Sequence, residues 1–166
     1  VRQRQMGRRD RTAYGAVGGI PQYLQYLSQE DDLLTGLGRS YFRPTGHLFE
    51  EPSSLLKQEL REPATYNSII TAIASGAGRL NEIATKTGED SKKCAKYLKT
   101  MLELRILKKE IPIGAKRERN SLYSISDNMF RFWYRFVPEN VSNIQAGMGD
   151  IVMTRRVLPA IPDYMG

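Results

Sequence analysis

The stretch that decides the fold runs from Thr65 to Asp127 and reads TYNSIITAIASGAGRLNEIATKTGEDSKKCAKYLKTMLELRILKKEIPIGAKRERNSLYSISD. Its first part places isoleucines at helical spacing and then reaches Gly76 and Gly78, which predicts a helix followed by a turn. The segment RLNEIATKTG repeats the helical pattern and ends at Gly88, after which Asp90 or Ser91 can cap a further helix. We therefore expect a helix, a tight turn and a second helix in succession.

The third predicted helix, Ser91 to Glu103, has two chemically different faces. At about 100° per residue, Ala95, Leu98 and Leu102 fall on one side, which we expect to pack against the other helices. Cys94, Met101 and Arg105 flank this side. The opposite side is a lysine face made of Lys92, Lys96 and Lys99.

Two alternating segments follow this helix. ILKKEIPI and SLYSIS favour strands, and the polar segment GAKRERN between them favours a turn, so we expect a β-hairpin with a basic tip. The strands should lie near Leu107 to Ile113 and Ser121 to Ser126. Three helices and a hairpin in this order predict a winged helix-turn-helix in a mainly α protein, with the hairpin as the wing and further helices on both sides.

Composition sets broad limits on the chain. Its 166 residues are 40% hydrophobic and 26% charged, which is typical of one or two small globular domains. The net charge of +7 and the pI of about 9.6 favour polyanionic partners. Ten lysines and arginines lie between Lys92 and Arg119 against three acidic residues, so the predicted winged segment alone accounts for the excess charge.

The chain also lacks several signals of other protein classes. A single cysteine excludes an internal disulfide, and no apolar run approaches the roughly 20 residues of a membrane span. The N-terminal VRQRQMGRRDR is basic but is not followed by the apolar stretch of a signal peptide. We therefore expect a cytoplasmic protein without a membrane partner, and the first residue, Val1, indicates processing or trimming.

The segments before residue 63 are predicted to be helical in part. Gly18 and Gly19 break the chain, and Pro21 can open a helix. Asp31 to Gly46 is polar and rich in glycine with aromatic interruptions, so we expect it to wrap the surface. Pro52 can occupy the first turn of a short amphipathic helix.

The densest aromatic segment is DNMFRFWYRFVPEN. Asp127 can cap a helix there, with Met129, Phe132, Trp133 and Phe136 at helical spacings. Packing in a core is favoured over a platform for stacking bases. The remainder, VSNIQAGMGDIVMTRRVLPAIPDYMG, predicts one helix interrupted by prolines and no closing element.

Several of these segments together resemble a known family. GGIPQYL, LFEEPSSLLKQELREPATYNSIITAIASG, EIATKTG and RFWYRFVPEN are similar to the C-terminal half of prokaryotic AAA-type ATPases called the archaeal ATPase family. The resemblance covers nearly the whole chain, and the order of its pieces is more specific than any one of them. It implies a helical end of an ATPase domain, a winged helix, and the start of a nuclease-like region, with ATP and Mg²⁺ bound by a domain outside this chain.

The departures from the family limit the expected chemistry. No G-x-x-x-x-G-K-[ST] motif is present to hold the phosphates of ATP. No paired carboxylates with a lysine follow the winged segment to hold Mg²⁺ for DNA cleavage. We therefore expect no enzymatic activity in this chain, which would be a fragment or a protein reduced to the middle part of the family.

Other candidate chemistry is sparse. His47 and Cys94 are the only histidine and cysteine, and too few ligands accompany them for a zinc site or a Cys/His dyad. We interpret both as structural, and assign no catalytic, cofactor or metal residue.

The sequence thus predicts three parts: a helical segment (residues 1–62), a winged helix-turn-helix (63–127), and an aromatic helix with the start of a truncated C-terminal region (128–166). The first functional hypothesis is binding of duplex DNA, mainly through backbone contacts. Because the lysine face offers no Asn, Gln or Arg, little sequence preference is expected. The alternative is a connector or protein-interaction module, through self-association or contacts with an ATPase domain. The predicted DNA-binding residues are Lys92, Lys93, Lys96, Lys99, Lys116, Arg117 and Arg119.

Overall fold

The structure, a computed structural model, describes residues 7–28, 32–114 and 120–166. This part of the chain is mainly helical and contains a two-stranded antiparallel sheet, which confirms the predicted fold class. It divides into two compact units. One, the ribbon unit, is Ser53–Tyr134, and the other, the terminal unit, combines the described residues up to Pro52 with Arg135–Gly166. The three-part division at residues 62 and 127 stays a prediction.

The regular elements follow one another along the chain with short connections. The helices are α1 (Arg8–Val17), α2 (Pro21–Ser28), α3 (Leu33–Tyr41), α4 (Glu51–Glu59), α5 (Pro63–Ala74), α6 (Leu80–Thr87) and α7 (Ser91–Glu103), then α8 (Asn128–Phe136), α9 (Val141–Gln145), α10 (Gly149–Val152) and α11 (Leu158–Met165). Strands β1 (Leu107–Glu110) and β2 (Leu122–Ile125) lie between α7 and α8. A 3₁₀ turn, Pro138–Asn140, precedes α9, and a π-helical turn, Met153–Val157, joins α10 to α11.

The core of the ribbon unit comes from the predicted apolar positions. Ile69 and Ile70 of α5, Ile83 of α6 and Leu98 of α7 are fully buried. Each fully buried side chain of this size contributes roughly 1.5–3 kcal/mol to folding. The three helices are thus held together by the isoleucine and leucine pattern that predicted them.

The aromatic helix α8 is also a core element. Asp127 accepts a hydrogen bond from the Phe130 N–H at 2.9 Å, as a helix cap does. Met129, Phe132, Trp133 and Phe136 are buried, which confirms the packing interpretation. Phe130 and Tyr134 are buried as well. Burial raises the pKa of the Tyr134 hydroxyl, which donates to Asn67 Oδ1 at 2.7 Å.

In the terminal unit, the expectation that the segment after Asp31 wraps the surface was wrong. Leu33–Tyr41 is a helix, α3, and Leu37 and Tyr41 are fully buried. Glycines often mark loops, but here they lie within the helix. At Gly36 an added Cβ would lie 2.9 Å from the carbonyl oxygen of Leu27, so this glycine lets α3 approach α2 closely.

The C-terminal segment contains more helix than predicted. The helix runs from Gly149 to Met165 through the π-helical turn, although Pro159 and Pro162 lie within it. A proline ring collides with the carbonyl four residues earlier in a regular helix. The π-helical turn covers that position for Pro159 and changes the local register. The Tyr164 hydroxyl then donates to the Gly15 carbonyl at 2.7 Å, which ties α11 to α1.

Candidate nucleic-acid interface

The two helices of the predicted motif meet at a defined turn. Gly88 ends α6 in the left-handed conformation, with φ 70° and ψ 14°. Asp90 then caps α7, since its carboxylate accepts hydrogen bonds from the backbone N–H groups of Lys92 at 2.9 Å and Lys93 at 3.3 Å. The bounds of α7, Ser91–Glu103, are those predicted from the sequence. Because Asp90 fixes the start of α7, the lysine face begins with Lys92 in the first turn of the helix.

The buried face of α7 differs from the prediction. It consists of Cys94, Tyr97, Leu98 and Met101, while Ala95 is exposed and Leu102 is half-buried. Cys94 and Met101 were predicted at its flank, whereas Tyr97 is not part of the aliphatic pattern.

Tyr97 explains the rotation of this face. Its ring packs against Tyr66 of α5 with a centroid distance of 4.5 Å. Its hydroxyl donates to the carboxylate of Glu62, just before α5. Both contacts turn α7 so that the side of Tyr97 faces the core, and Ala95 moves onto the exposed side.

The exposed side of α7 is small and cationic. Lys92, Lys96 and Lys99 are all exposed, and within the described part of the chain none of them forms an ion pair. Ser91 and Ala95 lie on the same side and are also exposed. The helix therefore presents three ammonium groups without ion pairs around short side chains, a surface that can approach a polyanion closely.

Lys93 lies in a different environment from the lysine face. Its ammonium group is 3.0 Å from the Glu89 carboxylate and 5.9 Å from the centre of the Tyr97 ring. The hydrogen bond to Glu89 raises the pKa of Lys93. Three of the four predicted helix lysines therefore share one exposed side of α7, whereas Lys93 forms an ion pair with Glu89.

The ribbon follows α7 and is shorter than predicted. Leu107 pairs with Ile125 and Glu110 pairs with Leu122 in an antiparallel register. The predicted strand to Ile113 ends at Glu110 because Pro112 has no N–H to donate to the ladder. The carbonyl of Gly78, just before α6, accepts a hydrogen bond from the Tyr123 N–H at 2.8 Å. This bond fixes the ribbon to the connection between the first two helices.

The charges on the ribbon are partly compensated. Lys108 forms an ion pair with Glu110 at 2.7 Å. Lys109 is exposed and forms no ion pair with any described residue. The predicted contacts Lys116, Arg117 and Arg119 lie outside the described residues.

Arg105 was predicted beside the packed side of α7, but the structure places it after the end of the helix. It follows α7 with φ 59°, in a left-handed conformation that costs a non-glycine residue roughly 1–2 kcal/mol. Its carbonyl accepts the Ser126 hydroxyl at 2.7 Å, and its side chain is exposed. An arginine where glycine would be less strained adds a cation between the lysine face and the ribbon.

The remaining candidate groups have structural surroundings. His47 stacks on Tyr26 with a centroid distance of 4.2 Å. Cys94 is fully buried, with its sulfur 3.8 Å from the Thr87 hydroxyl oxygen. Among the described residues, no group of three or more His, Cys, Asp or Glu side chains could hold a metal ion. Within the same residues, none of the helices is long and apolar enough to cross a membrane.

Comparison with known proteins found one distant relative of interest. An uncharacterized protein of Methanocaldococcus jannaschii is 32% identical over 139 residues, which is 83% of this chain and 31% of the relative. The chain thus spans about a third of the length of that relative. No family model matches the chain, and no solved structure matches it.

Proposed function

We propose that the ribbon unit contains a winged helix-turn-helix that binds duplex DNA, mainly through phosphate contacts. The observation that carries this proposal is the lysine face of α7. Lys92, Lys96 and Lys99 are exposed on α7, which is the second helix of the helix-turn-helix formed by α6 and α7. No described carboxylate forms an ion pair with them. In such motifs this helix is the one that enters the major groove.

The charge is distributed selectively over the unit. Glu89 forms an ion pair with Lys93, which flanks the lysine face. Glu110 forms one with Lys108 on the ribbon. A general requirement for solubility does not explain why the three lysines of the lysine face form no ion pairs. Phosphate binding does, because each lysine that meets a phosphate releases a condensed counterion.

The ribbon has the rigidity that a wing requires. It is paired internally from Leu107 to Glu110 and is also bonded to Gly78 through Tyr123. Lys109 and Arg105 extend the cationic surface beyond the helix. The wing would therefore lie on backbone phosphates beside the groove that α7 occupies.

Little sequence preference is proposed for this interface. Side chains that form bidentate contacts with bases, such as Arg with guanine and Asn or Gln with adenine, are absent from the exposed side of α7. Lysines on phosphates position a protein but do not read the sequence.

The proposal also places this unit in a larger protein. The resemblance of several segments to the archaeal ATPase family supports a unit that works beside an ATP-hydrolysing domain. The M. jannaschii relative is longer than this chain, which covers 31% of it. We propose that catalysis belongs to that domain and that this chain contributes the contact with DNA.

Fluorescence anisotropy of a labelled duplex, titrated with the chain at several salt concentrations, tests the proposal. About four phosphate contacts, from the lysine face and Lys109, predict a slope of log K against log salt of about −4. Two duplexes of unrelated sequence should bind within a few-fold of each other.

Glu103 provides a second variant with the opposite effect. It is exposed at the end of α7, close in helical angle to Lys92 and Lys96. Glu103→Gln should bind duplex more tightly, because a repulsive carboxylate is removed. No binding at low salt, or unchanged binding by this variant with a flat salt dependence, would favour the alternative of a connector between protein domains.

A further inference from the structure

The end of the ribbon carries an apolar side chain that the DNA-binding surface described above does not explain. Ile113 has a relative exposure of 107%, so it is as accessible as in an isolated peptide. Ile111 at 54% and Leu122 at 38% are the next exposed apolar side chains of the ribbon. Burial of a fully exposed isoleucine is favourable by roughly 1.5–3 kcal/mol. In this fold Ile113 makes no such contribution, so a binding partner could gain it.

Two residues with special backbone preferences flank Ile113. Pro112 precedes it, and a proline ring fixes φ near −65°. Gly114 follows with φ 87°, a conformation that suits glycine. Ile113 therefore lies in a turn shortly after strand β1, and its side chain is exposed there.

The charge around this turn indicates the chemistry of its partner. Lys109 lies on the strand that leads to it and forms no ion pair with any described residue, whereas Lys108 on the same strand is paired with Glu110. The lysine face of α7 belongs to the same unit. The partner is thus expected to be a polyanion that also offers a narrow apolar slot. Duplex DNA fits both requirements, because its phosphates line the groove and its stacked bases can part to admit an aliphatic side chain.

We propose that Ile113 inserts as a wedge at a base step in the minor groove when the ribbon binds duplex DNA, partly unstacking that step and bending the duplex. This inference rests on the proposed DNA binding and adds a mode of engagement that phosphate contacts alone do not give. Flexible steps such as TA should be favoured, because they cost less to unstack. A weak preference can thus arise without direct reading of bases.

Two optical probes test the wedge. Duplexes that carry 2-aminopurine beside a single central TA step report unstacking as a rise in fluorescence, and duplexes with a dye on each end report bending by energy transfer. The chain should raise the first signal and shorten the distance between the dyes. Ile113→Ala should abolish both changes and weaken binding about tenfold, since the apolar contact is lost. Its salt slope should not change, because no charge is removed.

Ile151→Ala is the matched control. Ile151 is an isoleucine of the terminal unit with 52% exposure. Its replacement should leave binding and both optical signals unchanged. Because Ile113 is fully exposed, its replacement should also leave the circular dichroism spectrum and the melting temperature unaltered.

The outcomes separate the wedge from the proposed function. Failure of the parent to bind duplex at low salt would reject both. Duplex binding with the expected salt slope, but without a 2-aminopurine or bending signal, would overturn the wedge alone. Binding to vesicles of anionic phospholipid, or self-association in sedimentation, that disappears in Ile113→Ala while the optical signals stay flat would overturn it as well.

Discussion

Gly88 offers a clean test of the turn that sets α6 against α7. Its φ of 70° and ψ of 14° lie in the left-handed region, and an added Cβ would have no heavy atom within 4 Å. Replacement by alanine therefore introduces no steric clash with neighbours, and its cost is conformational only. For a residue with a Cβ that cost is roughly 1–2 kcal/mol. Gly88→Ala should lower the free energy of unfolding by about this amount.

Urea denaturation followed by circular dichroism measures this difference. Gly88→Asn is the matched variant, since asparagine adopts the left-handed conformation more readily, and it should lose less stability than Gly88→Ala. Unchanged m-values would show that both variants act on stability and not on the extent of unfolding. Equal losses for alanine and asparagine, or no loss for alanine, would refute the conformational explanation of this turn.

Three further predictions concern other parts of the chain. Gly149→Ala should destabilise the terminal unit by more than Gly88→Ala, because the added Cβ would lie 1.8 Å from the Phe42 carbonyl oxygen; thermal melts of the two variants compare them. Glu82 accepts hydrogen bonds from the backbone N–H groups of Arg79 and Gly78, each at 3.0 Å. The bond from Arg79 is the main cause that lowers the pKa of Glu82. The stabilisation by the ionised Glu82 carboxylate should be complete above its unfolded-state pKa and lost as pH falls through its folded-state pKa. Glu82→Gln should therefore be less stable than the parent at neutral pH and nearly as stable as the parent in acid. Urea melts of both proteins at the two pH values would show this. Finally, calorimetry with Mg-ATP should detect no submillimolar binding, because the chain has no phosphate-binding loop; such binding would point instead to a phosphate site at Gly18 and Gly19.

The extent of the helices was predictable where local signals were strong. Asp90 and Gly88 mark the ends of two helices through their own side-chain and backbone chemistry, and α7 was found at its predicted bounds. The buried face of α7 was not predictable in the same way. It depends on contacts of Tyr97 with Tyr66 and Glu62, which lie 31 and 35 positions away in the sequence.

Glycine and proline were the other source of error. Gly36 lies within a helix, where the absence of a side chain lets the backbones of α3 and α2 approach each other. Pro159 is accommodated by a π-helical turn. Both residues break helices on average, and only the tertiary surroundings reverse that preference. The lysine face was predictable because its members follow the helical period and need no long-range partner, whereas the local pairing of Lys93 and the position of Arg105 required the structure.

Removal of the lysine face, compared with removal of equal charge elsewhere, separates specific phosphate contacts from general electrostatic attraction. One variant replaces Lys92, Lys96 and Lys99 by alanine; the control replaces Arg43, Arg155 and Arg156, which are exposed in the terminal unit. Both lose three positive charges. The salt dependence of duplex binding is then measured for the parent and both variants by anisotropy.

At about 0.9 per phosphate contact, the lysine variant should flatten the slope of log K against log salt from about −4 to about −1 and bind about 500-fold more weakly at roughly 0.1 M salt. The arginine control should keep the parent slope and lose only a few-fold in affinity. Alanine maintains helix propensity at the three exposed positions, so the fold should survive. Equal slopes for the parent and the lysine variant, or equal losses in the two variants, would contradict DNA binding through α7.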